Sequence, residues 1–173
     1  MGQTEAAKAE AAPSRLAATI RPWPDLLVGA PCWAALMGLA ATFALYRRER
    51  LYGMDSPALI TLLFLGGLLA WPLAVSLARF LAYRRPFAVK FVVFVVLLSL
   101  GTLGMTAALF ALDYGSYYER WHAPFGSLVW FFQFAFTSAS AVYQFAVLGT
   151  RLFLPLAPVF AIAAGLFLAR RMS

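Results

Sequence analysis

Polar side chains recur on one face of the fourth apolar segment of the chain. They are Gln133, Thr137, Ser140, Tyr143 and Gln144. The two amides and two hydroxyls follow at steps of four, three and four residues, which aligns them over about 17 Å of a helix. Such a face serves either as a binding site or path for a small polar solute or a lipid or quinone headgroup, or as interhelical hydrogen bonding. In the second case the expected partners, besides a partner subunit, are Ser99, Thr102 and Thr106.

A second group of reactive side chains lies just before this segment, at Asp113, Glu119 and His122. Glu119 and His122 are three residues apart, which on a helix places a carboxylate and an imidazole together, as in di-iron proteins. Such a site needs two pairs, whereas the chain has one histidine. The tyrosines and the tryptophan of residues 113–124 are typical of an aromatic belt at the membrane interface. We therefore expect no catalytic residue, metal or cofactor, and keep the three as an alternative polar loop site.

The elements that must position these side chains are five stretches without a charged residue. They cover residues 26–46, 58–78, 91–112, 125–149 and 152–169. About 20 apolar residues in a helix span the hydrocarbon core of a bilayer, and a helix satisfies its backbone there internally. The composition agrees, with 63% hydrophobic and 12% charged residues. We predict an all-α polytopic transmembrane bundle of five spans, forming a single domain over residues 25–171 after an Ala-rich cytoplasmic tail over residues 1–24.

The fourth and fifth stretches are separated by a single charged residue, Arg151. One straight helix of about 45 residues would be about 68 Å long, more than twice the hydrocarbon thickness. Gly149 and Thr150 provide a helix stop and Pro155 suits the start of a helix, so we expect a tight hairpin here. The alternative is four spans plus a re-entrant hairpin, which is tolerated where it is buried in protein or lines a cavity.

The fourteen Lys and Arg residues lie at the ends of the apolar stretches instead of along one stripe. This distribution is typical of membrane topology and argues against nucleic-acid binding. Five crossings place eight of these residues on the side of the N-terminus and six opposite; four crossings place nine against four when Arg151 is left out. Both counts predict a cytoplasmic N-terminus, in what we expect to be a bacterial inner membrane. Arg79 is interpreted as a solvated helix end that reaches the interface.

Small residues mark the faces on which the helices are expected to meet, because close backbone approach drives association in lipid. The first stretch has such a seam at Ala30, Ala34, Gly38 and Thr42. The fifth stretch has one at Ala157, Ala161, Gly165 and Ala169. The third carries Ser99, Thr102 and Thr106 beside Gly101 and Gly104.

Three classes of function fit these features. The favoured class is a non-catalytic membrane subunit, assembly factor or scaffold, with membrane lipids and other membrane subunits or a second copy as partners. The first alternative is a small oligomeric transporter or channel component that uses the polar face of the fourth span. The second alternative is a membrane enzyme acting on lipid or quinone through Asp113, Glu119 and His122.

Overall fold

The computed structural model describes residues 23–50, 53 and 55–172. Its five α helices are α1 (Trp23–Tyr46), α2 (Ser56–Leu81), α3 (Phe87–Tyr118), α4 (Leu128–Val147) and α5 (Leu156–Arg171). Short 3-10 turns follow α3 at Glu119–Trp121 and precede α5 at Gly149–Leu152. Four helical segments are long and apolar enough to cross a membrane, which confirms the predicted all-helical membrane fold. They are Leu26–Tyr46, Ser56–Leu81, Phe87–Trp121 and Leu128–Leu152, and α5 is not among them. Nearly all of the predicted tail lies outside the described residues.

The helices differ in length more than the sequence suggested. α3 has 32 residues and is therefore about 48 Å long. It runs past Asp113, the charged residue at which we expected the third span to end, and continues to Tyr118. α5 has 16 residues, about 24 Å, which is shorter than a hydrocarbon core of about 30 Å.

Four helices form the bundle. α2 packs between α1 and α3, and α5 packs on α3 and touches α1. The side chains of Trp33, Leu63 and Phe94 are fully buried between them. The Trp33 indole Nε1 donates a hydrogen bond of 2.9 Å to Thr102 Oγ1, so this buried polar pair satisfies itself across α1 and α3.

The predicted small-residue seams of the first and fifth stretches lie at helix contacts, whereas Gly104 of the third stretch is exposed and an added Cβ there would meet nothing within 4 Å. Gly67 of α2 faces Ala34 and Met37 of α1, and a Cβ added at Gly67 would lie 3.3 Å from the Ala34 Cα. Gly66 faces Thr106 of α3, where an added Cβ would lie 3.0 Å from the backbone Cα. The whole fifth seam is buried, and its members are Ala157, Ala161, Gly165 and Ala169. Helix backbones therefore approach closely on both sides of α2 and between α3 and α5.

The chain from α4 through α5 runs antiparallel to α3 without reversing. As the chain advances from α4 to α5, its contacts move steadily back along α3. The successive pairs are Thr137 with His122, Gln144 with Tyr114, Phe145 with Phe110, Gly165 with Val95, and Met172 with Lys90. The predicted hairpin at Gly149 to Pro155 is therefore wrong. The glycine and proline interrupt the helix, but α3 is long enough to pair with both pieces in line.

The contacts between helix ends fix which ends lie together. At one end, here called the Lys90 end, Lys90 Nζ donates to the Met172 carbonyl at 2.8 Å. At the opposite Arg48 end, Arg48 Nη2 lies 3.4 Å from the Arg151 carbonyl. Five crossings would put Lys90 and Met172 on opposite sides of the membrane. Their position at one end agrees with the even number of crossings in the four-span alternative. The helices that lie side by side are α1, α2, α3 and α5, whereas α4, which is itself long and apolar enough to cross a membrane, packs along the end of α3.

Arg79 is buried, with 6% of its surface exposed, so its interpretation as a solvated helix end is wrong. α2 continues past it to Leu81, which keeps Arg79 within the packed part of the bundle. Lys90, at the start of α3, is buried as well and bonds the chain after α5. The Lys90 end therefore holds cationic side chains among the helices as well as on its surface.

Candidate functional site

The polar residues of α4 meet the end of α3 and the connection after it. The backbone N–H of Ala123 donates to Gln133 Oε1 at 2.7 Å. Thr137 Oγ1 and His122 Nε2 lie 3.3 Å apart, and Gln144 Nε2 donates to the Tyr114 hydroxyl at 3.3 Å. These contacts join the first half of α4 to the connection after α3, and its second half to α3 itself. We call this group the polar junction: Tyr114, His122, Gln133, Thr137 and Gln144.

The prediction that this face bonds Ser99, Thr102 or Thr106 was wrong. Thr102 accepts the Trp33 indole N–H, and the Thr106 hydroxyl donates to the Thr102 carbonyl at 2.7 Å. Both threonines therefore serve the bundle core. α4 lies beside the last part of α3 and so reaches Tyr114 and His122, whereas Ser99 lies farther down α3 beside α5.

The start of α4 is set by local chemistry. Ser127 caps the helix, since its hydroxyl accepts from the backbone N–H of Trp130 at 3.1 Å. Gly126 has φ 85°, a left-handed conformation that glycine adopts without a Cβ clash. The connection can therefore turn into α4 while Ala123 still contacts Gln133.

The five predicted polar residues of α4 differ in how exposed they are. Gln133, Thr137 and Gln144 are partly buried, whereas Ser140 is exposed and Tyr143 is 70% exposed. The reason is that the buried face of α4 is formed by Ala141 and Phe145 and not by the polar residues. The polar residues lie along the edge of that face, and Tyr143 points away from it.

The alternative loop site is spread out. Asp113 and Glu119 are exposed, while His122 is partly buried. Glu119 and His122 line one cleft of about 260 Å³ together with Trp130, and Asp113 is not among its lining residues. Within residues 23–50, 53 and 55–172, no three His, Cys, Asp or Glu side chains are grouped to hold a metal ion.

Sequence reasoning missed a larger cleft at the Arg48 end, with a volume of about 390 Å³. Arg48, Arg50 and Arg151 line it, and its remaining wall is almost entirely apolar. Gln144 of the polar junction also borders it. We call it the arginine cleft. Arg48 and Arg151 are 103 residues apart, so no sequence pattern brings them together.

The end of α1 shapes this cleft. Glu49 has φ 57°, a left-handed conformation, and the N–H of Arg50 donates back to the Leu45 carbonyl at 3.0 Å. This tight turn folds Arg50 back over the last turn of α1, a common helix ending. Both Arg48 and Arg50 can then border a cleft that also includes Leu45.

We expect Gln144→Leu to lower the free energy of unfolding by about 0.6 to 1.7 kcal/mol, the range for a lost interhelical hydrogen bond. The matched control is Ser140→Leu, at an exposed position one turn away, which should change stability by less than about 0.5 kcal/mol. Unfolding in detergent, followed by circular dichroism, measures both. An equal loss for the two variants would show that the Gln144 bond contributes nothing specific.

Comparison of the whole chain with known proteins gives no relative from which a role can be carried over. No protein-family model, no curated protein sequence and no solved structure matches it. The function must therefore be argued from the polar junction, the arginine cleft and the surface of α4.

Proposed function

We propose that the chain is a non-catalytic integral membrane subunit or scaffold that binds a partner membrane protein through α4. The observation that carries this proposal is the exposure of α4. Two of its twenty residues are buried. Along the side opposite α3 runs an exposed face, here called the outer face, formed by Phe132, Phe136, Ala139 and Tyr143.

The position of α4 along α3 distinguishes the outer face from an ordinary lipid-facing surface. Phe145, near the end of α4, contacts Phe110 of α3. Phe110 lies twenty residues, and therefore about 30 Å, from Lys90 along α3. That distance already equals a typical hydrocarbon thickness. The outer face therefore extends past the layer that α1, α2 and α5 share with α3. A contiguous apolar surface on a helix that extends beyond the packed bundle is typical of an interaction site.

The polar junction supports a scaffold role. Its contacts join one half of α4 to the connection after α3 and the other half to α3, so the outer face is held in one orientation before a partner arrives. A partner binding a pre-ordered face avoids the entropic cost of ordering it. The aromatic residues Phe132, Phe136 and Tyr143 are of the type that dominates interface energies.

The proposed location is a bacterial inner membrane with the Lys90 end in the cytoplasm. With α5 ending beside Lys90, six of the Lys and Arg residues that the structure describes lie at this end, and three more precede α1 in the sequence. Basic residues in short segments favour the cytoplasmic side. The Arg48 end and α4 then lie on the opposite side.

The test is purification of the tagged full-length chain from its native membrane in mild detergent, followed by mass spectrometry. We expect a stoichiometric membrane partner with the unmodified chain. Phe132→Ala combined with Phe136→Ala should lower its recovery at least about tenfold, because truncation of interface aromatics costs more than about 1 kcal/mol each.

The matched control is Leu69→Ala combined with Leu73→Ala, a pair with the same spacing and exposed on α2. This pair should leave recovery unchanged. Equal losses for the two pairs, or a chain that purifies without a stoichiometric partner, would contradict the proposal. A complex made only of copies of this chain would favour the transporter alternative instead.

A further inference from the structure

We propose that the arginine cleft binds the phosphate headgroup of an anionic phospholipid in the leaflet at the Arg48 end. This inference is independent of the partner proposed for α4. It uses charge, wall chemistry and position in the bundle.

The charge of the cleft favours an anion. Arg48, Arg50 and Arg151 line it, and none of its lining residues is acidic. Glu49 and Asp55 line the adjoining cleft, which Arg50 also borders. Their carboxylates therefore offset part of the charge of Arg50, and Arg48 and Arg151 carry most of the attraction. Guanidinium groups bind phosphate oxygens through paired N–H donors.

The wall of the cleft favours a lipid over a free anion. Leu59 and Leu62 of α2, Phe110 of α3 and Leu148 after α4 supply apolar surface beside the arginines. An inorganic phosphate would leave that surface without a partner. A phospholipid places its phosphate against the guanidiniums and its glycerol and upper acyl chain against the leucines. Its polar part then meets the charged part of the cleft, and its apolar part meets the apolar wall.

The position of the cleft matches a headgroup. It lies where α1 ends and α2 begins, at the level of Phe110, about 30 Å from Lys90 along α3. Hydrocarbon gives way to headgroups over such a distance. With the Lys90 end in the cytoplasm, these arginines lie on the side where basic residues are disfavoured, and a bound anion compensates for them. The volume of about 390 Å³ suits a headgroup with its glycerol.

The test compares lipid binding by the purified full-length chain in a nonionic detergent, with native mass spectrometry as the readout. Phosphatidylglycerol is the probe and phosphatidylcholine is the comparison lipid. Arg48→Gln combined with Arg151→Gln should weaken phosphatidylglycerol binding about 30-fold, since each basic side chain contributes a factor of about five. Arg48→Lys combined with Arg151→Lys keeps the charge but loses the paired N–H donors, so its binding should fall between that of the unmodified chain and that of the Gln pair.

The matched control is Arg85→Gln combined with Arg170→Gln, two exposed arginines at the Lys90 end, which should weaken binding less than about twofold. Equal losses at both ends would overturn the proposal in favour of general surface attraction. Leu148→Trp keeps every charge but fills the cleft, and should weaken binding about tenfold. Unchanged binding in Leu148→Trp, together with full displacement by inorganic phosphate, would mean that the arginines recognise the free anion and would overturn the lipid assignment.

Discussion

Gly66→Leu is expected to prevent stable assembly of the bundle, whereas Gly104→Leu should leave it folded. Gly66 meets the backbone of Thr106 where α2 and α3 are closest, with 3.0 Å between an added Cβ and the Thr106 Cα. A leucine there would force the two helices apart, at a cost above about 3 kcal/mol. The movement would also disturb the nearby hydrogen bond between Trp33 and Thr102.

Gly104 is the matched control because a Cβ added there meets nothing within 4 Å. Both glycines lie inside long helices, so the change in helix propensity is the same and favourable. Thermal unfolding in detergent and gel filtration distinguish the two variants. Similar stability of Gly66→Leu and Gly104→Leu would rule out the close approach of α2 and α3.

The second large effect concerns the side of the membrane from which each end of the bundle can be labelled. Single cysteines replacing Arg85 and Arg170, in a Cys32→Ala background, are expected to react with a membrane-impermeant thiol reagent from the same side. Cysteines replacing Arg48 and Ser116 should react from the opposite side only. The physical reason is that the contact of Lys90 with Met172 and the contact of Arg48 with Arg151 lie at opposite ends of the bundle.

The outcome is close to all or none, because an intact bilayer excludes a charged reagent. Labelling of the Arg85 and Arg170 positions from opposite sides would restore five alternating crossings and reject the packing of α5 on α3. Permeabilised membranes provide the control, since all four positions are exposed and should then react.

The positions of the helices could be predicted because charged residues bound the apolar runs. Pro57 marks the start of α2, and the basic residues after Tyr46 follow the end of α1. The seam of α5 was also predictable, because small residues at steps of four leave one recognisable face. These are local properties, and each can be identified within about twenty residues of sequence.

The arrangement of the last third of the chain could not be predicted in the same way. Gly149 and Pro155 indicate a break but carry no information about the direction of the next helix. The direction depends on the length of α3, which continues past Asp113 because its end is packed against α4. Once α4 is placed there, Gln144 bonds Tyr114 and leaves Thr102 to Trp33.

The arginine cleft was missed for a related reason. The basic residues after α1 and Arg151 each have a sufficient local explanation as topology signals. Their meeting depends on the in-line path from α4 to α5, which places Arg151 at the end of α1. A site built from separate helix ends becomes visible only when those ends are brought together.

The late position of α5 in the chain sets an order of assembly. α1, α2 and α3 pack on their neighbours in sequence, so they can associate while later segments are still being synthesised. The bond from Lys90 to Met172 closes across 82 residues and cannot form until α5 has been synthesised. We therefore expect α1, α2 and α3 to associate before α5, with Val95 on α3 in contact with lipid until α5 covers it.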